Sequence, residues 1–257
     1  MDDSVIRSRQ NASLKRLRAV RAGKHDGLIV LEGLRLVRDA VASGLELEEL
    51  FVAEDREEWC EEFASLGDRL RVVDPDVLAS ASELVTSPGL IAACREPRQY
   101  SIAELEVEER ALFLVVGGIA DPGNLGALAR SAEALGARAI IVLRGGASPW
   151  NDKALRGSMG SLLRLPVLRA GDAESVAREL AGRGVRQIVA ATRGGLPLDE
   201  LDWKGPVALW IGGEVGGAPE AAADFERVTI PMANGAESLN VTVAASLLLF
   251  ATGRVGR

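Results

Sequence analysis

The chain has 257 residues, 47% of them hydrophobic, and carries a formal net charge of −7. This is longer than one average domain and apolar enough for a sizeable core, so two domains of unequal size are expected. Two well-separated cysteines, Cys60 and Cys94, and one histidine, His25, give no basis for a disulfide framework or a zinc site. The longest nearly apolar stretch, Val241 to Ala251, is too short to span a bilayer, and the amino terminus lacks the apolar middle of a secretion signal. A cytoplasmic protein with no membrane partner and no metal is expected.

The acidic balance argues at first against a nucleic-acid partner, because phosphate contacts need local positive potential. The distribution of charge says more than its sum. Arg7, Arg9, Lys15, Arg16 and Arg18 fall in a run from Arg7 to Lys24 without one acidic residue, while Glu and Asp gather in segments such as Glu54 to Glu62. Alone, such a run reads as a solvated helix face.

In chain order, residues 28–31, 47–53, 71–73 and 90–94 read as strands, with helices predicted near 33–43, 55–66 and 75–84. Residues 1–96 thus form a small α/β unit, and the polar stretch 97–109 reads as a linker. Residues 110–257 open on the run ALFLVVGG, whose lack of alternation suits a parallel strand covered on both faces. Similar runs recur at 139–143, 185–191, 206–211 and 227–230, with helical segments between several of them. Alternation of this kind implies a parallel sheet, and ligands of such sheets sit beyond the strands' carboxyl ends.

Three loops after predicted strands stand out. In the first, residues 117–137, Asp121 and Pro122 turn the chain and a helix begins near Asn124, with Arg130 about two turns along it. The second, WIGGEVGGAPE at 210–220, sets four glycines around Glu214, which either caps a helix or serves catalysis. The third, residues 230–250, runs from an apolar strand end through Asn234-Gly235 to Ser238-Leu239-Asn240, which open a helix apolar almost all round. Such a helix must be deeply buried or lie in a subunit interface.

Taken together and in this order, the loops resemble the three signature motifs of the SpoU (TrmH-like) RNA ribose methyltransferases of the SPOUT superfamily. Asn124, Gly126 and Arg130 match the first motif, Gly212, Glu214 and Gly217 the second, and Ile230, Pro231, Met232, Ser238, Leu239 and Asn240 the third. Residues 151–167 and 6–39 are similar to segments of the ribosomal-RNA branch, so the likeness covers nearly the whole chain. Departures are modest: Asn234 stands where glycine is frequent and Thr242 where serine is common.

The resemblance implies a small α/β substrate-binding domain followed by an α/β domain with a deep trefoil knot, a rare exception to the usual threading rules. It implies transfer of a methyl group from S-adenosylmethionine to a ribose 2′-hydroxyl of structured RNA, ribosomal RNA first. Transfer RNA, or a non-catalytic RNA-binding protein of the same fold, is the alternative. Cofactor contacts fall to Gly212, Gly213, Gly217, Ile230, Met232, Ser238 and Leu239, and catalytic roles to Arg130, Asn124, Glu214 and Asn240. Asn240 either orients the site or caps the last helix. The likeness further implies a homodimer in which the last helix packs on its partner, and RNA capture by the basic run of the first domain.

Overall fold

The computed structural model of the chain describes residues 5–24, 27–212, 220–233 and 236–253. The chain divides into two compact units, residues 1–97 and 98–257.

The first unit contains α1 (Ala12–Arg21), β1 (Leu28–Glu32), α2 (Leu34–Ala42), β2 (Leu47–Ala53), α3 (Glu57–Glu62), β3 (Leu70–Val73), α4 (Pro75–Ala79) and β4 (Leu90–Arg95). The sheet order is β1-β4-β2-β3, with β4 antiparallel to both neighbours and β2 parallel to β3. Asn11 caps α1 by accepting from the Ser13 amide at 2.9 Å, and Leu14, Leu17 and Val20 recur at helical spacing to pack on Phe51 and Val77. The helix predicted over 55–66 stops at Glu62 and gives way to a 3-10 segment, Ala64–Arg69, broken at Gly67. The one predicted over 75–84 lasts five residues, capped by Asp74.

Folding changes how the basic run reads. Arg7 pairs with Glu54 at 2.9 Å and Asp74 at 3.6 Å, and Arg16 with Glu48 at 3.5 Å and Glu49 at 3.6 Å. Arg21 pairs with the buried Glu32 at 3.1 Å, and Arg18 donates to the Arg9 carbonyl at 2.8 Å and to Ser80 Oγ at 3.0 Å. Among the described residues, the side chains of Arg9 and Lys15 form no ion pair.

The second unit contains β5 (Leu112–Val116), α5 (Pro122–Ala134), β6 (Ala139–Leu143), α6 (Asp152–Ser158), α7 (Ser161–Arg164), β7 (Val167–Ala170) and α8 (Ala173–Gly182). It continues with β8 (Arg186–Ala190), β9 (Leu196–Pro197), β10 (Val207–Ile211), β11 (Glu226–Thr229) and α9 (Val241–Ala251). Seven strands lie in the order β7-β6-β5-β10-β8-β11-β9, and their pairings are parallel. β5, β6 and β10 are buried at every position, as their unbroken apolar runs require. The edge strands β7 and β9 are short and partly exposed, and carry no comparable run. Of the polar stretch read as a linker, Ile102 and Leu105 are buried in this unit's core beside Tyr100 and Val107.

α5 and α6 touch backbone to backbone. A Cβ on Gly126 would lie 2.3 Å from the Ala154 carbonyl oxygen and 2.8 Å from the Ser158 nitrogen. Since backbone cannot yield there, Gly126→Ala is expected to lower stability by about 1–3 kcal/mol, read as a lower Tm in thermal denaturation.

Cys94 is buried in β4 and its thiol is pushed up to about 12, first by burial and then by Glu46 and Glu48. Its native pKa lies above the unfolded one, so the folded state holds its proton longer. The chain is therefore expected to lose stability as pH rises from about 9 towards 12, a slope that Cys94→Ala should flatten in pH-dependent denaturation.

Candidate active site

The carboxyl ends of β8, β10 and β11 open on one cavity of about 510 Å³, within the range of small-molecule sites. The end of β10 contributes Ile211 and Gly212, and the segment after β11 contributes Ile230, Met232, Ser238 and Leu239. Val241, Ala244 and Leu248 of α9 complete an apolar wall. The second and third loops singled out in the sequence thus meet in space. Gly213, Glu214 and Gly217, together with His25, Asn234 and Gly235, lie outside the described residues.

The first loop does not line this cavity. α5 begins at Pro122 with Asp121 as its cap, so Asn124 sits inside the first turn rather than at the boundary expected for it. Asp121 Oδ1 accepts the Asn124 amide at 3.0 Å, and a hydrogen bond from Lys153 holds the Asp121 carboxyl below its ordinary range. With the cap supplied by Asp121, the Asn124 side chain is left for another task, and it is half-buried. Arg130 is exposed and lies about 120° around the helix from Asn124. Among the described residues its side chain makes no hydrogen bond or ion pair.

α9 links the first loop to the third. Its Thr242 hydroxyl lies 3.5 Å from the Asn124 carbonyl, and Ser246 Oγ is 2.7 Å from Ser131 Oγ on α5. Thr242 in place of serine keeps the hydroxyl this contact uses. Asn240 caps α9, accepting from the Thr242 amide at 2.9 Å and the Val243 amide at 3.4 Å. One face of α9 buries Val241, Ala245, Leu248 and Leu249. The opposite face exposes Val243 (48%), Leu247 (43%) and Phe250 (67%).

Outside the three loops that stand out in the sequence, Thr192 and Arg193 of the loop after β8 line the cavity, as does Arg227 of β11. The rule that ligands sit at strand carboxyl ends applied equally to β8, and the following Gly194-Gly195 marked a close turn. Among the described residues, no group of three or more His, Cys, Asp or Glu side chains could hold a metal ion. Among the described residues, no helix is long and apolar enough to cross a membrane.

Comparison with known proteins agrees with this geometry. The profile of the SpoU rRNA Methylase family matches residues 111–250, and that of the RNA 2′-O ribose methyltransferase substrate binding domain matches residues 30–100. The 23S rRNA (guanosine(2553)-2′-O)-methyltransferase RlmP of Bacillus subtilis is 28% identical over 92% of either chain. The 23S rRNA (uridine(2479)-2′-O)-methyltransferase of Streptomyces viridochromogenes is 30% identical over 87% of this chain and 82% of its own. The crystal structure of an AdoMet-bound rRNA methyltransferase from Sinorhizobium meliloti superposes with a TM-score of 0.87 at 27% identity, covering 98% of both chains. With its parallel sheet, its substrate-binding unit and its cavity between the second and third loops, the chain belongs to the SpoU rRNA methylase family.

Proposed function

We propose that the chain transfers a methyl group from S-adenosylmethionine to a ribose 2′-hydroxyl of ribosomal RNA. The observation that carries this reading is the apolar cavity in which Gly212, Ile230, Met232, Ser238 and Leu239 converge. Its volume suits a nucleoside cofactor, its loop backbones offer hydrogen-bonding groups for an adenine, and its apolar wall excludes water. Relatives named for 2′-O methylation of 23S rRNA favour ribosomal over transfer RNA. They act on different nucleotides, so the target base follows from this chain's own RNA contacts.

The bound cofactor supplies an electrophilic methyl on a sulfonium. The protein's task is to hold a sugar oxygen in line with that methyl and to stabilise the negative charge developing on the oxygen. Arg130 serves this end by binding the phosphate beside the target ribose, its guanidinium staying charged throughout. Asn124 positions neighbouring groups, and Glu214 belongs to the same site. Asn240 contributes by fixing the start of α9, and with it the third loop.

The site is completed by a second copy. The exposed apolar face of α9 supports a homodimer formed across this helix, and Arg130, absent from the cavity of its own chain, reaches the partner's site. The knotted topology of the superfamily and work in the cytoplasm, where ribosomal RNA is made and processed in bacteria, belong to the same reading. The first unit presents RNA, with Arg9 and Lys15 among the cations that form no ion pair with the described residues, and with Arg7, Arg16 and Arg18 shared with acidic or polar partners. In RNA, exposed loop nucleotides and 2′-hydroxyls are the features available for selection.

Arg130→Ala is expected to lower methylation of ribosomal RNA by about 100-fold or more while S-adenosylmethionine binding by calorimetry is unchanged; retained turnover refutes the assignment. Asn240→Ala should cost about 1 kcal/mol in denaturation, whereas Asn240→Asp, an equally good cap, should not. If both keep wild-type stability yet lose activity, Asn240 acts directly on the substrate.

A further inference from the structure

The cofactor cavity carries two charges that the proposed reaction does not use. Arg193 follows β8 and Arg227 lies in β11, and both line the cavity. Every other described lining residue is uncharged, and most are apolar, including Val189, Ile211, Val228 and Leu248. Among the described residues, neither arginine's side chain makes a hydrogen bond or ion pair.

Their placement is built into the backbone. The loop after β8 packs so closely on β11 that a Cβ on Gly195 would lie 2.8 Å from the carbonyl carbon and oxygen of Arg227. The Thr229 hydroxyl donates to the Thr192 carbonyl at 3.4 Å on the same seam. Arg193 and Arg227 therefore sit on adjoining backbone segments, both exposed and both lining the cavity.

Two cations without a carboxylate partner among the described residues are a poor match for S-adenosylmethionine taken as a whole, which carries a sulfonium and an ammonium against a single carboxylate. Like charges near one another cost energy, more so where water is excluded. The cavity and the cofactor are compatible when the carboxylate meets the guanidinium side, which leaves the sulfonium to the apolar wall. A guanidinium suits that task, because its planar fork matches a carboxylate with two parallel N–H···O bonds.

We infer that Arg193, with Arg227 beside it, is a positioning pair that holds the methionyl carboxylate and so fixes which way the methyl points. This rests on the cofactor reading above and adds to it the residues that anchor the amino-acid end. Both side chains are solvent-exposed, so the effect is about tenfold in affinity rather than larger.

The test is calorimetry on the 257-residue chain with two probes: S-adenosylhomocysteine, which has the carboxylate, and 5′-methylthioadenosine, which keeps the adenosine and thioether but lacks the amino-acid end. Arg193→Gln should weaken S-adenosylhomocysteine about tenfold and leave 5′-methylthioadenosine unchanged, with Arg193→Lys between variant and wild type. Arg227→Gln should act in the same direction, and the loss should shrink with added salt. Unaltered S-adenosylhomocysteine binding in both single variants and in the double variant overturns the inference, as does equal weakening of both probes, which would mark a change of loop shape. A wild-type chain that binds neither probe overturns the cofactor reading itself, and this inference with it.

Discussion

Parallel pairing at the centre of the second unit is the constraint from which the site follows. β10 lies between β5 and β8 in register, Trp210 opposite Val115 on one side and Val189 on the other, and β11 extends the array beyond β8. Because the strands run the same way, the loops leaving β8, β10 and β11 emerge at one edge, although they come from residues about 40 apart in sequence. The central strands are buried along their length, and a slip of one residue would turn each side chain to the opposite face of the sheet. Register is therefore held by packing, and the cavity inherits its shape from it.

Close backbone approaches transmit that order to the helices and loops. Gly126 lets α5 meet α6 without an intervening side chain, and Gly195 lets the loop after β8 lie on β11. The glycine of the first motif thus acts in helix packing, and Asp121 takes the cap that leaves the Asn124 side chain free. Hydroxyl contacts from α9 to α5 then tie the third loop to the first. A site of this kind tolerates change poorly at positions remote from any ligand, since each touches backbone.

Electrostatics in an acidic chain is a matter of which cations stay unpaired. In the first unit carboxylates match three of the seven basic residues between Arg7 and Lys24: Glu54 and Asp74 at Arg7, Glu48 and Glu49 at Arg16, and Glu32 at Arg21. These contacts shape the unit and leave fewer charges for phosphate than the run suggests. In the second unit Arg130, Arg193 and Arg227 have no such partners among the described residues, and two of them stand at the cavity. Exposed cations without carboxylates beside them are the groups able to meet an anion.

Much was legible in the residues themselves. Unbroken apolar runs marked β5, β6 and β10, because strands covered on both faces need apolar side chains at every position. The order of the three loops pointed to the family, and the apolar character of α9 pointed to burial, of which the fold of the chain supplies one face. Tertiary structure alone decided the rest. It showed that Asp121 and not Asn124 caps α5, that Ile102 and Leu105 draw much of the supposed linker into a core, and that β7 and β9 extend the sheet at its edges. It also placed Thr192, Arg193 and Arg227 at the cavity and left Arg130 outside it. The reason is physical: periodicity reports which side of an element is buried, but which loops meet and which charges find partners depend on pairings between segments far apart in the chain, and those arise only when the sheet closes.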